Sequence, residues 1–250
     1  MPTTVFATSG DSVVEKSVAS FIGGASWSST VRGSATTTGT SQDSTLTNYD
    51  FGVWNDRTGR GFSAAWKLNR SFFPFNLSSL SGTVASADLK IFSDNLGDTG
   101  TNSSTVYAVA ATALADSTAD YGNVFSSGTT IGTLYGSTTI STVLGYHTIT
   151  LNANAISDIN TAAAGSDTLT IGLMGYYDYN NTYPSTNAQK IAIYYSEFAG
   201  GGGTGADPKL ELTLGASGYS HNVSGVASAN IAGVNGVATA NIASVNGVDT

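Results

Sequence analysis

Cysteine is absent from the 250-residue chain, which excludes disulfides, thiolate metal sites and cysteine nucleophiles. Charge is scarce as well: 10% of residues are Asp, Glu, Lys or Arg, against about a quarter in an ordinary globular chain. Nine Lys and Arg stand against 17 Asp and Glu, for a net charge of −8. No basic cluster occurs anywhere, so nucleic-acid binding through phosphate neutralisation is disfavoured. The shortage of Glu, Lys and Arg, all good helix formers, argues against a helical bundle. No apolar run approaches the roughly 18 residues of a membrane span. The opening residues 1–17 lack a basic region followed by a long apolar run, so no signal peptide is expected. Only two histidines occur. His147 falls in a predicted strand and His221 near the C-terminal tail, and no Gly-x-Ser-x-Gly pattern supplies a nucleophile. No catalytic residue is assigned, and no enzyme is expected.

What the chain does have is Gly, Ser, Thr, Ala and Asn, interleaved with short β-branched and aromatic runs. That pattern predicts an all-β sandwich or barrel. Val5-Phe6-Ala7 and Val13-Val14 flank a Gly10-Asp11 turn signal and read as an opening hairpin or an arm. Residues 23–48 read as a long loop or weak strands carrying one aromatic, Trp27. Strands are then expected at 49–54, 61–68, 70–77, 86–92, 104–110, 146–151, 168–174, 188–195 and 208–214. Pro74 marks a strand end or edge. Alternation places Ala87, Leu89 and Ile91 on one face, and Trp66 reads as core. One helix is expected, from Asn152 to Ala164, spaced by Ile156 and Ile159. The organisation expected is an N-terminal arm over 1–44, a sandwich over 45–215 and a tail over 216–250.

The tail repeats with a period of eleven: GVASANIAGVN, GVATANIASVN, GVDT. Asn-Gly between valines is the strongest short hairpin signal, so the period fits a nine-residue strand and a two-residue turn. An eleven-residue period also suits a slightly unwound helix, which the Asn-Gly pairs oppose. Either way the tail reads as an assembly element through Val226, Ile231, Val234, Val237, Ile242, Val245 and Val248. The segment Tyr176-Tyr177-Asp178-Tyr179-Asn180-Asn181-Thr182-Tyr183-Pro184 is a candidate contact patch for a glycan or a protein partner, with Tyr176, Tyr177, Tyr179 and Tyr183 as its rings and Trp27 and Trp54 as further candidates.

The order of several pieces carries a resemblance. Asn48-Tyr49-Asp50-Phe51-Gly52, Arg70 to Leu77, Ser86 to Phe92, Val106 to Val109, His147 to Ile159, Ser196-Glu197 and Pro208 to Leu212 follow one another as in the DNRLRE-type jelly-roll domains related to carbohydrate-binding modules. Where that pattern carries a Trp motif after the Val-x-Val strand, this chain has Ala119-Asp120-Tyr121-Gly122. The resemblance implies an antiparallel jelly roll with a single short helix. It also implies a structural calcium ion as the one candidate cofactor, with Asp50, Glu197 and Asp207 as oxygen donors. The tail resembles short Val-Asn-Gly-Val repeats at the ends of phage structural proteins. Together these resemblances imply a virion or extracellular surface protein. It would be a capsid decoration or a head or tail fibre component, forming a homo-oligomer with other virion proteins as partners. A carbohydrate-binding adhesion module is the alternative.

Overall fold

The computed structural model describes residues 3–8, 10–19, 27–45, 47–58, 63–96, 105–140, 144–184, 189–195 and 206–215, together with short strand pairs at 233–234, 237–238, 244–245 and 248–249. Every described pairing is antiparallel. The strands are β1 (Thr3–Phe6), β2 (Ser12–Ala19), β3 (Ser41–Asp43), β4 (Asn48–Thr58), β5 (Ser63–Asn76), β6 (Val84–Leu96), β7 (Thr105–Ala111), β8 (Phe125–Ser127), β9 (Thr130–Ile131), β10 (Leu134–Thr139), β11 (Gly145–Thr150), β12 (Thr168–Gly175), β13 (Gln189–Tyr194) and β14 (Lys209–Leu214). Twelve of them form one sheet, in the order β1-β14-β6-β13-β4-β5-β12-β7-β10, with β11 on β6, and β2 and then β3 branching from β5.

Two long strands fold this sheet over itself. Along one edge, β5 pairs first with β4 and then, from Ser71 onward, with β12, while its other edge takes β2. In the same way β6 gives one edge to β14 and then β13, and the other to β11. The result is a sandwich with a core between its layers. Ala87, Leu89 and Ile91 of β6, Leu210 and Leu212 of β14, Phe73 and Phe75 of β5, and Ile171 and Leu173 of β12 are all buried there. The helix Ala153–Gly165 closes one end, sending Ala155 and Ile159 into this core. Asn152 caps its first turn by accepting from the Asn154 and Ala155 N–H groups. Asn160 accepts from the Val84 N–H at 2.7 Å and donates to the Val84 carbonyl at 3.0 Å, acting as a strand partner for β6. At Gly136 the β10 backbone passes so close to β11 that an added Cβ would stand 2.6 Å from the Thr150 carbonyl oxygen.

A second core lies on the outer face of β5, β12 and β7. Side chains on a strand alternate between faces, so Phe72, Val109 and Met174 enter this second core while their neighbours Phe73, Ala108 and Leu173 enter the first. These strands are buried on both sides, which accounts for apolar residues at successive positions. The outer cover comes from a π-helical turn, Trp27–Arg32, and a 3-10 turn, Thr118–Val124, through Trp27, Val31, Tyr121 and Val124.

Several expectations are corrected. β1 and β2 do not form a hairpin with each other; β1 pairs with β14 and β2 with β5 and β3. The region expected as an arm followed by a long loop or weak strands supplies three strands to the main sheet. The runs 61–68 and 70–77 join into one strand because the polar residues at the junction find buried partners: Asn69 Nδ2 donates to the Asp50 carbonyl at 2.7 Å, and Arg70 has the ion pair described below. Strands β8, β9 and β10 were not expected, and among the described residues the Ala153–Gly165 helix is joined by three short helical turns, including Tyr176–Tyr179 in the expected loop. Pro74 sits within β5, opposite Thr170. Its carbonyl accepts from the Thr8 N–H at 2.9 Å on the edge away from β12. In a strand the N and C=O of one residue point the same way, so the missing donor faces the N-terminal turn and β12 loses no bond.

In the tail, Gly233–Val234 pairs with Val237–Ala238 and Ser244–Val245 with Val248–Asp249, each as a separate two-stranded sheet. The pairs bracket Asn235-Gly236 and Asn246-Gly247 and recur eleven residues apart. Each described tail strand is two residues long.

Candidate functional site

The tyrosine-rich segment follows directly from β12. Gly175 leads into the one-turn helix Tyr176–Tyr179, whose Asp178 is wholly buried. A buried carboxylate must be paired, because removing one partner of such a pair costs several kcal/mol. Its partner is Arg70, also wholly buried, in a two-pronged contact: Nε donates to Oδ2 at 2.7 Å and Nη2 to Oδ1 at 2.8 Å. The remaining guanidinium donors reach the Tyr121 carbonyl at 2.7 Å and the Arg32 carbonyl at 2.8 Å. Arg32 closes the circuit by donating from Nε to the Asp178 carbonyl at 2.6 Å, and the Tyr121 hydroxyl donates to the Val31 carbonyl at 2.6 Å. Both guanidiniums lie over aromatic rings: Arg70 4.0 Å from the Tyr121 centroid, Arg32 5.0 Å from that of Phe125.

The electrostatics follow from burial. Desolvation is the largest single influence and works against the charge on Arg70, but Asp178 and Tyr121 together overcome it and its pKa stands above the ordinary guanidinium value. For Arg32 desolvation wins, aided by the neighbouring Arg70, and the pKa is lowered. Burial raises the Tyr121 phenol. The cluster joins four separate stretches of chain: the π-helical turn, β5, the 3-10 turn and the tyrosine segment. Its role is to fix that segment against the second core.

The candidate rings are distributed unevenly around this anchor. Trp27 is 1% exposed, so its ring is core rather than an open platform; the Gly/Ser/Thr-rich context concealed the second core that buries it. Tyr183 stands edge-on to both Trp27 and Trp66, at 6.4 and 5.8 Å between centroids. Tyr176 meets Tyr177 edge to face at 5.3 Å. Tyr179 lies flat on Tyr107, with 4.0 Å between centroids and 7° between planes. Asn180 Nδ2 donates to the Tyr107 hydroxyl at 3.3 Å. Trp54, on β4, is half-buried, with Lys190 Nζ 5.8 Å from its centroid. Tyr107 was missed because its partner is distant in sequence, and Arg32 and Tyr121 for the same reason. Arg70 carried a usable signal: a lone arginine in an apolar strand requires a buried partner.

Of the calcium donors, Asp50 forms an ion pair with Lys190 at 2.9 Å, and Asp207 is buried with its carbonyl accepting from the Tyr146 hydroxyl at 2.9 Å. Glu197 lies outside the described residues. Among the described residues, no three His, Asp or Glu side chains are grouped as a metal site. Of the tail positions, Val234, Val237, Val245 and Val248 fall in the strand pairs, and Val226, Ile231 and Ile242 lie outside the described residues. His147 sits in β11 opposite Ile91. The fold thus defines an all-β protein of antiparallel sandwich architecture. No protein-family model matches the chain, and no curated protein matches it significantly.

Proposed function

We propose that this chain is a non-enzymatic structural protein of a phage-like virion, a capsid decoration or a head or tail fibre component. Its sandwich is a jelly roll that displays the tyrosine segment, and its terminal segments make the assembly contacts with further copies and other virion proteins. The observation that carries this reading is the two short strand pairs that recur eleven residues apart and, among the described residues, pair only with each other. An isolated two-stranded hairpin is at best marginally stable in water, so such repeats gain stability by pairing along a neighbour's edge. Removing residues 216–250 tests it: particle incorporation is lost while the sandwich keeps its fold. Unchanged incorporation would sink the proposal.

A second reading, a carbohydrate-binding adhesion module, has its own support in the flat Tyr107–Tyr179 stack with Asn180 beside it. Aromatic faces and adjacent amides suit the apolar faces and hydroxyls of sugars. A glycan array on the full chain and on Tyr179→Ala decides it; this reading requires binding in the first and its loss in the second.

A further inference from the structure

Between β2, β3 and the start of β4 lies a cavity of about 230 Å³, lined by Val13, Glu15, Ser41, Gln42, Asp43 and Tyr49. It is separate from the tyrosine segment. Ser41 is exposed and Gln42, Asp43 and Tyr49 are half-buried, so its mouth is open. Its floor is unusual. Glu15 is only 8% exposed, yet its carboxylate is poorly satisfied. Oε2 receives the Tyr49 hydroxyl at 3.4 Å and stands 3.8 Å from Lys67 Nζ. Both distances are long beside the roughly 2.5–2.9 Å of charge-assisted bonds. Among the described residues, none donates to Oε1.

The walls share this one-sided chemistry. Asp43 accepts from the Thr45 N–H and hydroxyl through Oδ1, at 2.8 Å each, which leaves Oδ2 open. Gln42 donates its amide to Asp116 Oδ1 at 2.6 Å, which leaves its own carbonyl open. Acceptors therefore predominate among the unused groups of Glu15, Asp43 and Gln42, beside the second Gln42 N–H, which can donate. Nearby cations are engaged elsewhere: Lys16 Nζ donates to the Thr38 carbonyl and Lys190 pairs with Asp50. Lys67 offsets one of the three carboxylates Glu15, Asp43 and Asp116. The excess negative charge registers on Tyr49, whose phenol is raised first by burial and then by Glu15, Asp50 and Asp43.

We propose that this cavity binds a primary alkylammonium group. The ammonium supplies three donors to three unused acceptors, and the Val13 side chain and Tyr49 ring cover its methylenes. The two lining carboxylates fall short of the six to eight oxygens that calcium collects. At roughly 30 Å³ per water the cavity has the volume of about eight waters, enough for a short amine and residual solvent. The amine has two sources, a lysine of another protein or a free polyamine.

The test is saturation-transfer NMR and titration calorimetry on the full chain with butylammonium, using 1-butanol as the uncharged control. Butylammonium binds and 1-butanol does not. Asp43→Asn, at a half-buried wall position, keeps the melting temperature and weakens the amine about tenfold. Glu15→Gln weakens it similarly. Equal binding of 1-butanol, or unchanged affinity in Asp43→Asn, overturns the proposal. Nα-acetyl-lysine methylamide and 1,4-diaminobutane then separate the sources. Comparable binding of the lysine analogue assigns the cavity to a protein lysine, and about tenfold preference for the diamine assigns it to a polyamine. Either result upholds the site, and none depends on whether the tail serves in assembly.

Discussion

Arg70 and Asp178 show how much one buried pair decides. With Arg32 they hold four remote stretches against the second core, through hydrogen bonds of 2.6–2.8 Å. Asp178→Asn keeps the shape but leaves two guanidiniums buried without their counter-charge. Its expected cost is about 3–5 kcal/mol, read from urea unfolding midpoints at constant slope. A loss under about 1 kcal/mol would show that the cluster is not the anchor described. Tyrosine sets a second expectation. Burial raises the phenols of Tyr49, Tyr121, Tyr135, Tyr146 and Tyr195, that of Tyr146 to about 12. The unfolded chain ionises its phenols near pH 10, while the folded chain still holds these protons. Their stabilisation is therefore complete below about pH 10 and is lost as pH rises toward the folded values. Unfolding free energy measured from about pH 8 to pH 12 should fall only above about pH 10. A flat profile there would contradict the burial.

At the scale of elements, the helix Ala153–Gly165 depends on its cap. Asn152→Ala removes the acceptor for two N–H groups and is expected to cost about 1 kcal/mol by chemical denaturation. Gly136 tests the layer closure. In Gly136→Ala the new methyl meets a backbone carbonyl, which cannot rotate away, so β10 must separate from β11. Destabilisation of about 1–3 kcal/mol is expected, with faster hydrogen exchange confined to β10 and β11. The strand β5 explains why element boundaries misled: its polar Asn69 and Arg70 look like an interruption until their partners, the Asp50 carbonyl and Asp178, are placed beside them.

For the whole molecule, the separation of tail and sandwich is the feature to measure. Among the described residues, the tail strands form their own small sheets and share no ladder with the twelve-stranded sheet. Removing residues 216–250 should therefore change the unfolding free energy of the sandwich by no more than about 0.5 kcal/mol, and the proposed assembly role further requires a smaller species in sedimentation. A large loss of stability would show instead that the tail belongs to the sandwich.

The sequence by itself determined the local periodicities. Alternation marked the main strands and the shared face of Ala87, Leu89 and Ile91, and the Ile156 and Ile159 spacing marked the helix after Asn152. All of these depend on neighbours within a few positions, which a linear reading can see. The tertiary structure alone decided that β1 pairs with β14 rather than β2, that a second core buries Trp27, and that Glu15, Asp43 and Tyr49 surround one cavity. These arise from contacts between residues tens to hundreds of positions apart. Their energy exists only once the sheet has folded over and removed the intervening water.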